Sequence, residues 1–342
     1  MTAPCDEPSP ILVEIIRGAM VESFHRGAVA VVDAAGKVAR SAGDVDRLVY
    51  PRSALKPIQA LPLIETGAAD GVGLGPEELA LACASHRGEP PHIEKVAAWL
   101  AKIGLGEADL ECGVHPPRHE ASYAALLRAG GAPSQLHNNC SGKHAGFLTT
   151  ALWRREPTHG YIESDHPVQR RVAETVGEMA GLDLSRAPRG RDGCGIPVIA
   201  LPLRALARAM ARLADPSGLS QQRRTTAKRL LDAMAAAPLL VDGSGGMTAT
   251  LMSVAGAAVR LKPGAEGVFA AALPSLGLGV ALKIDDGGAR AAELAMATVL
   301  DRLGCFTAEA RSALAPFLAP PLKTVAGREA GRLQPAAMLQ SL

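Results

Sequence analysis

The apolar positions change period along the chain. Residues 11 to 41 carry two β-rich runs, ILVEII and AVAVVD, the second followed by Ala-Ala-Gly and the short run KVARSA. Branched residues in short runs broken by a glycine turn predict a twisted antiparallel hairpin or meander. The next stretch, LVYPRSALKPIQALPLIETGA, is apolar on nearly every side, so a helix there is buried all round rather than amphipathic. Pro57 and Pro62 each remove a backbone donor and kink or shorten it. A proline-bearing helix inside a core is costly, which marks this segment as functional.

Between 76 and 130 the spacing predicts helices over PEELALACASH, PHIEKVAAWLAKIG and, after a Pro-rich loop at 114–118, EASYAALLRAG. NNCSGKHAGFLTTA runs from a polar turn straight into an apolar helix, and DHPVQRRVAETVGEMAG predicts another, with Asp165 as its N-cap. RGRDGCGIPV reads as a loop before helices at 198–213 and 220–235. From about 238, VDGSGGMTATLM, AVRLKPGAEGVFAAAL and GLGVALKIDDGG read as strands between Gly-rich turns. AAELAMATVLDRLG and TAEARSALAPFL are late helices, and KTVAGREAGRLQ is the closing strand. There is no internal repeat and no low-complexity linker. This order predicts an α+β chain that starts and ends in one sheet. A sheet lobe of about 10–50 and 238–342 encloses a mainly helical lobe of about 51–237, with the active site in the cleft between them.

Composition adds limits. The 342 residues, 48% hydrophobic and 20% charged, suffice for one large two-lobed unit. Aromatic residues make up only 3%, so Ala, Leu and Val must fill the core. Lys plus Arg (36) nearly balance Asp plus Glu (34), which leaves no field to hold a polyanion or an acidic membrane and argues against a nucleic-acid partner. No apolar run reaches the roughly 18 to 20 residues of a membrane span, and the opening MTAPCDEPSP lacks a basic n-region. Cys5, Cys83, Cys112, Cys140, Cys194 and Cys305 show no paired spacing, which points to a reducing cytoplasm rather than a disulfide framework.

Candidate chemistry concentrates in five places. Ser53-Ala-Leu-Lys56 is an S-x-x-K element, and on a helical turn residues three apart share a face. A serine needs a base to become nucleophilic, and a lysine serves when apolar neighbours such as Ala54, Leu55 and Ile58 lower its pKa. The alternative is an N-cap with a solvated lysine. Cys83-Ala-Ser85-His86-Arg87-Gly88-Glu89 ends an apolar run in a polar cluster suited to the wall of a site or, more plainly, to a helix C-terminus. His86 there is a candidate substrate contact, against the default of a hydrogen-bonded structural histidine. His137-Asn138-Asn139-Cys140-Ser141-Gly142-Lys143-His144 precedes a helix, and Asp192-Gly193-Cys194-Gly195 is a second polar turn. If those turns meet, two thiolates could hold a soft metal such as zinc; ordinary turns are the alternative. Lys262 follows a strand-like run and could project from its end, or be a solvated turn lysine. Arg52 is a candidate for a substrate carboxylate, because a guanidinium fork suits one.

Taken in order, VESFHRG, PRSALKP, CASHRGEP, NNCSGKHAGF, DGCGIPV and KPGAEGV resemble the motifs of the Rhizobium-type, or class 3, asparaginases, whose fold is similar to the serine β-lactamases and penicillin-binding proteins. The matching blocks run from about residue 12 to the last strand. The resemblance implies an L-asparaginase in which Ser53 is the nucleophile paired with Lys56, and Ser85 forms a second pair with Lys262. It implies a zinc ion on Cys140, Lys143 and Cys194, with His144 and Asp192 as groups that support these ligands or contact substrate, and a homodimer. His86 and Arg87 follow Ser85 where penicillin-binding proteins have an S-x-N element, and Pro-Gly follows Lys262 where they have Thr-Gly, which disfavours a β-lactam substrate. Three rival readings stand beside it: a zinc-containing serine peptidase or esterase of the same fold, a non-catalytic zinc and amino-acid-binding protein, and a cysteine hydrolase using Cys140 with His144.

Overall fold

The computed structural model describes residues 7–342; residues 1–6, with Cys5 and the start of the acidic lead, lie outside the described part. The chain opens with strands β1 (Ile11–Arg17), β2 (Met20–Asp33), β3 (Val38–Ala42) and the short β4 (Leu48–Val49). A 3-10 turn over Arg52–Leu55 leads into helices α1 (Lys56–Gln59), α2 (Leu61–Glu65), α3 (Ala68–Gly71), α4 (Pro76–Ala82), α5 (Pro90–Lys102), α6 (Glu120–Arg128), α7 (Ser141–Trp153) and α8 (Pro167–Ala180). Strands β5 (Arg189–Arg191), β6 (Pro197–Ile199) and β7 (Leu201–Pro202) precede α9 (Leu203–Ala214), α10 (Gln221–Ala236), α11 (Pro238–Val241) and α12 (Met247–Ala255). The chain closes with β8 (Arg260–Pro263), β9 (Val268–Leu273), β10 (Leu278–Ile284), α13 (Ala289–Arg302), α14 (Ala308–Ala313), α15 (Ala315–Leu318), β11 (Pro321–Lys323), β12 (Glu329–Pro335) and α16 (Ala337–Gln340).

Two compact units result. One holds the residues up to 54, 201–215 and 250–342; the other holds 55–200 and 216–249. In the first unit an eight-stranded antiparallel sheet runs β11-β12-β1-β2-β10-β9-β8, with β3 also paired to β2, so strands from both ends of the chain share one sheet as expected. β9 is buried at every position, which requires cover on both faces. Helix α9 packs on β2, β9 and β10, and α13 packs on β1, β9, β10 and β12. Contact with α9 is close enough to demand a glycine: a Cβ on Gly279 of β10 would lie 2.0 Å from the Ala207 carbonyl oxygen. Its buried face is largely alanine, which permits that approach. The helical lobe therefore does not run unbroken from 51 to 237, because residues 201–215 return to the sheet.

The second unit is built around α7, buried from Ser141 to Ala151 and packed by α2, α3, α4, α5 and α8. α7 crosses α4 where a Cβ on Gly142 would meet the Leu81 carbonyl at 2.4 Å, so only glycine fits there. The expected all-buried helix after Ser53 is broken into α1 and α2, each with proline in its first two positions.

Several local expectations are corrected. VDGSGGMTATLM, read as a strand, contains helix α12: its alternating threonines mimic a strand, but Met, Ala and Leu are good helix formers. RGRDGCGIPV, read as a loop, is the β5–β6 hairpin, with Gly195 at φ 91° in its turn. The N-cap of α8 is His166, whose ring accepts from the Val168 amide, rather than Asp165. KTVAGREAGRLQ spans the β11–β12 hairpin rather than one strand. Among the described residues, no helix is long and apolar enough to cross a membrane.

Candidate functional site

Lys56 opens α1 and is fully buried. Its Nζ bonds the Ala84 carbonyl, donates to Ser85 Oγ at 3.1 Å and reaches the Asn139 carbonyl at 3.3 Å. Burial lowers the pKa of this amine, more than the nearby Cys140 raises it. Ser85 follows the last turn of α4 and donates its amide to the Val241 carbonyl at 3.0 Å. The hydroxyl that Lys56 bonds is thus one supplied from a distant part of the chain.

Ser53, Arg52 and Lys262 belong to the sheet unit. Ser53 lies in the 3-10 turn whose Ala54 amide donates to Pro51 O at 3.1 Å. Arg52, just before it, has φ 52°, a left-handed conformation that costs a non-glycine residue about 1–3 kcal/mol. Lys262 on β8 is buried, and its ammonium donates to the Pro263 carbonyl at 2.8 Å. Two residues on, a Cβ at Gly264 would come 2.7 Å from Pro51 O and 3.3 Å from the Ala54 amide. The Lys-Pro-Gly strand end therefore abuts the turn that carries Ser53. Gly264 is visible in the sequence as the glycine directly after Lys-Pro, and the fold adds that its missing side chain admits the Ser53 turn.

The Cys140 and Cys194 turns do meet. Lys143, in the first turn of α7, donates to Cys194 Sγ at 3.0 Å, and all three side chains are buried. The hydrogen bond it shares with Cys140 brings the Cys194 thiol down to about 5; burial opposes this and Lys143 assists it. That same bond, with burial, pushes Cys140 up to about 12. Burial would lower Lys143, but Cys140, Cys194 and Asp192 outweigh it and raise its pKa. Asn138 shapes this turn: its Oδ1 accepts the Cys140 amide at 2.9 Å and its Nδ2 donates to the Cys112 carbonyl at 2.8 Å. Among the described residues no three His, Cys, Asp or Glu side chains converge as metal ligands. Two sulfurs and an amine do converge, a donor set that fits a soft divalent ion once Lys143 loses its proton.

The remaining candidates surround these groups. His144 is fully buried, its Nδ1 is 2.8 Å from the Tyr161 hydroxyl, and its Nε2 has no hydrogen-bond partner. Asp192 closes the turn beneath Cys194, accepting the Gly193 and Gly195 amides. His86 is fully buried with both ring nitrogens engaged inside the protein. Ser141 Oγ donates to the Leu136 carbonyl, so His86 Nε2 donates to Ser141 at 2.9 Å, and Nδ1 accepts the Gly88 amide. Its ring stacks on His92 at 4.9 Å, and burial together with His92 holds its pKa well below the ordinary value.

Residues 13–335 match the family L-asparaginase II. No match was found among curated proteins. Among solved structures the chain is similar to Mglu in its native form with 4.3 M NaCl (14% identity, TM-score 0.46, 82% of this chain and 61% of that one). A further Mglu structure gives 15% identity and TM-score 0.48, covering 85% of this chain and 70% of that one. A β-lactamase from Mycobacterium bovis gives 16% identity and TM-score 0.40, covering 85% and 94%. The chain spans 61% and 65% of the length of the first two Mglu structures.

Proposed function

Because the chain belongs to the L-asparaginase II family of amidohydrolases, we propose that it hydrolyses the side-chain amide of L-asparagine to L-aspartate and ammonia. The observation that carries the reading is Lys56: a fully buried amine, its pKa lowered by desolvation, three residues after Ser53 and 3.1 Å from the hydroxyl of Ser85, the second serine of the reaction. Such an amine takes a hydroxyl proton more readily than a solvated lysine, because burial disfavours its charged form.

In the proposed reaction neutral Lys56 takes the Ser53 proton as Oγ attacks the carboxamide carbon. The ammonium of Lys56 returns that proton to the departing nitrogen, ammonia leaves, and water opens the resulting ester to release aspartate. Ser85 and Lys262 serve as the second hydroxyl and amine that relay protons, and Arg52 receives the α-carboxylate. His144 and Asp192 contact or support the substrate in this reading, whereas His86, buried with its ring bonded to Ser141 and Gly88, positions the site rather than touching substrate. Cys140, Lys143 and Cys194 are the residues that would hold zinc, which would supply a fixed positive charge beside the substrate. A homodimer belongs to this reading.

The bond from Lys56 to Ser85 favours one second reading, in which Ser85 is the nucleophile. Ammonia release from L-asparagine and L-glutamine by the wild type, Ser53→Ala and Ser85→Ala tests both. We expect release from asparagine, abolished in Ser53→Ala with the fold intact. Full activity in Ser53→Ala together with none in Ser85→Ala establishes the second reading, and no release from asparagine by the folded wild type rejects both.

A further inference from the structure

The segment after Ser85 is tied to a glycine-rich loop that the reaction above does not use. Glu89 is 9% exposed, and its carboxylate is saturated by one residue: Oε1 accepts the Ser244 amide at 2.7 Å and Oε2 the Ser244 hydroxyl at 2.6 Å. The loop, Asp242-Gly-Ser-Gly-Gly, is shaped to close on it. Gly243 has φ 135°, and a Cβ there would lie 2.4 Å from Glu89 Oε1 and 2.9 Å from the Arg87 side chain. A Cβ on Gly246 would strike the Asp242 carboxylate. Arg87 faces Asp242 at 3.6 Å, a second tie between the segments. The residue before the loop, Val241, accepts the Ser85 amide at 3.0 Å. At the other end of the segment the Glu89 amide donates to His92 Nδ1, while His92 Nε2 donates to the Leu239 carbonyl at 2.9 Å.

We infer that Glu89 is a positioning residue for Ser85: by clamping Ser244 it holds the 241–246 loop against the 85–89 segment, and so fixes the Ser85 backbone at the distance from which its hydroxyl meets Lys56. This rests on the proposed amidohydrolase reading for its kinetic consequence only. With both oxygens on Ser244 and only 9% of the residue exposed, the carboxylate is directed at the protein, as befits a positioning group. Two bonds to one residue also define direction, so the clamp resists sliding of the loop as well as its departure.

The test combines steady-state ammonia release from L-asparagine with amide hydrogen exchange of the peptide containing Ser85, in Glu89→Ala, Glu89→Gln and Ser244→Ala. Glu89→Ala should lower kcat about 10- to 100-fold, the scale of a small misplacement of a reacting group, with KM nearly constant. Exchange at the Ser85 amide should quicken in step. Glu89→Gln should recover most of kcat and of the protection, because its carboxamide oxygen still accepts the Ser244 amide and its NH2 can donate to the hydroxyl. Ser244→Ala, which keeps the amide bond and loses the other, should fall between, and it carries the test if Glu89→Ala does not fold. Glu89→Gln as damaged as Glu89→Ala overturns the inference, since the charge itself would then be required. So does a rise in KM alone, or Ser85 protection unchanged in both Glu89→Ala and Ser244→Ala. A wild type that releases no ammonia rejects the proposed function, while Ser85 exchange still decides the clamp.

Discussion

Two buried lysines, Lys56 and Lys143, both interact with Cys140 and Cys194 and are driven in opposite directions. Lys56 meets carbonyl oxygens and a hydroxyl, and burial outweighs the opposing pull of Cys140: its pKa falls. Lys143 meets the Cys194 sulfur at 3.0 Å, and Cys140, Cys194 and Asp192 together outweigh its burial: its pKa rises. Desolvation penalises any buried ammonium, while dipoles alone compensate it less than a full opposite charge at contact distance. The first residue of α1 and the first turn of α7 thus hold the same side-chain type with its pKa moved in opposite directions. The polar positions of the two helices do not distinguish these fates; their partners do.

The comparison can be broken at either lysine. Lys56→Met keeps the stem and removes the amine, so kcat for ammonia release should drop by about 10²–10⁴-fold, the range for loss of a general base, while the melting temperature holds or rises. A melting temperature that collapses instead would make Lys56 structural. Cys194→Ser should strand the Lys143 ammonium without its thiolate. Removing one partner of a buried pair costs about 3–5 kcal/mol, readable in urea unfolding of the metal-free protein. Equal stability in that variant would mean that Lys143 and Cys194 are not held as an ion pair.

The stacked histidines sharpen the comparison at a smaller scale, since burial also lowers His86 and His92 and neither has a thiolate. Both stay neutral in the folded chain and gain protons in the unfolded one. Stability is therefore complete above the unfolded histidine pKa of about 6.5 and is lost as pH falls below it, toward the depressed folded values. Each histidine contributes a slope approaching about 1.4 kcal/mol per pH unit in that window. Urea unfolding between pH 7 and 5 should show this slope, reduced in His92→Gln; a flat profile would place the protonated rings in solvent.

Much of the architecture was legible. Runs of branched residues announced β1 to β3, and apolar spacing announced α5, α6, α8 and α10, because these patterns are local and repeat over several turns or pleats. The interruption after Ser53 followed from Pro57 and Pro62. Failures came where a local pattern was ambiguous or too short. Thr248 and Thr250 gave α12 a strand-like alternation, and the three-residue β5 and β6 were too brief to stand out around Gly193 and Gly195. The allegiance of α9 to the sheet depends on a close approach at Gly279, which lies far along the chain.

By itself the sequence determined which groups are available: serine and lysine three residues apart, two cysteines in polar turns, a glutamate four residues after Ser85, and glycines where backbones must touch. Tertiary structure alone decided that Lys56 bonds Ser85, that Lys143 bonds Cys194, and that Glu89 closes on Ser244. The reason is physical. A side chain's identity is set by one codon, but its charge state depends on the solvent it loses and the atoms it meets, and those arrive from elements remote in the chain.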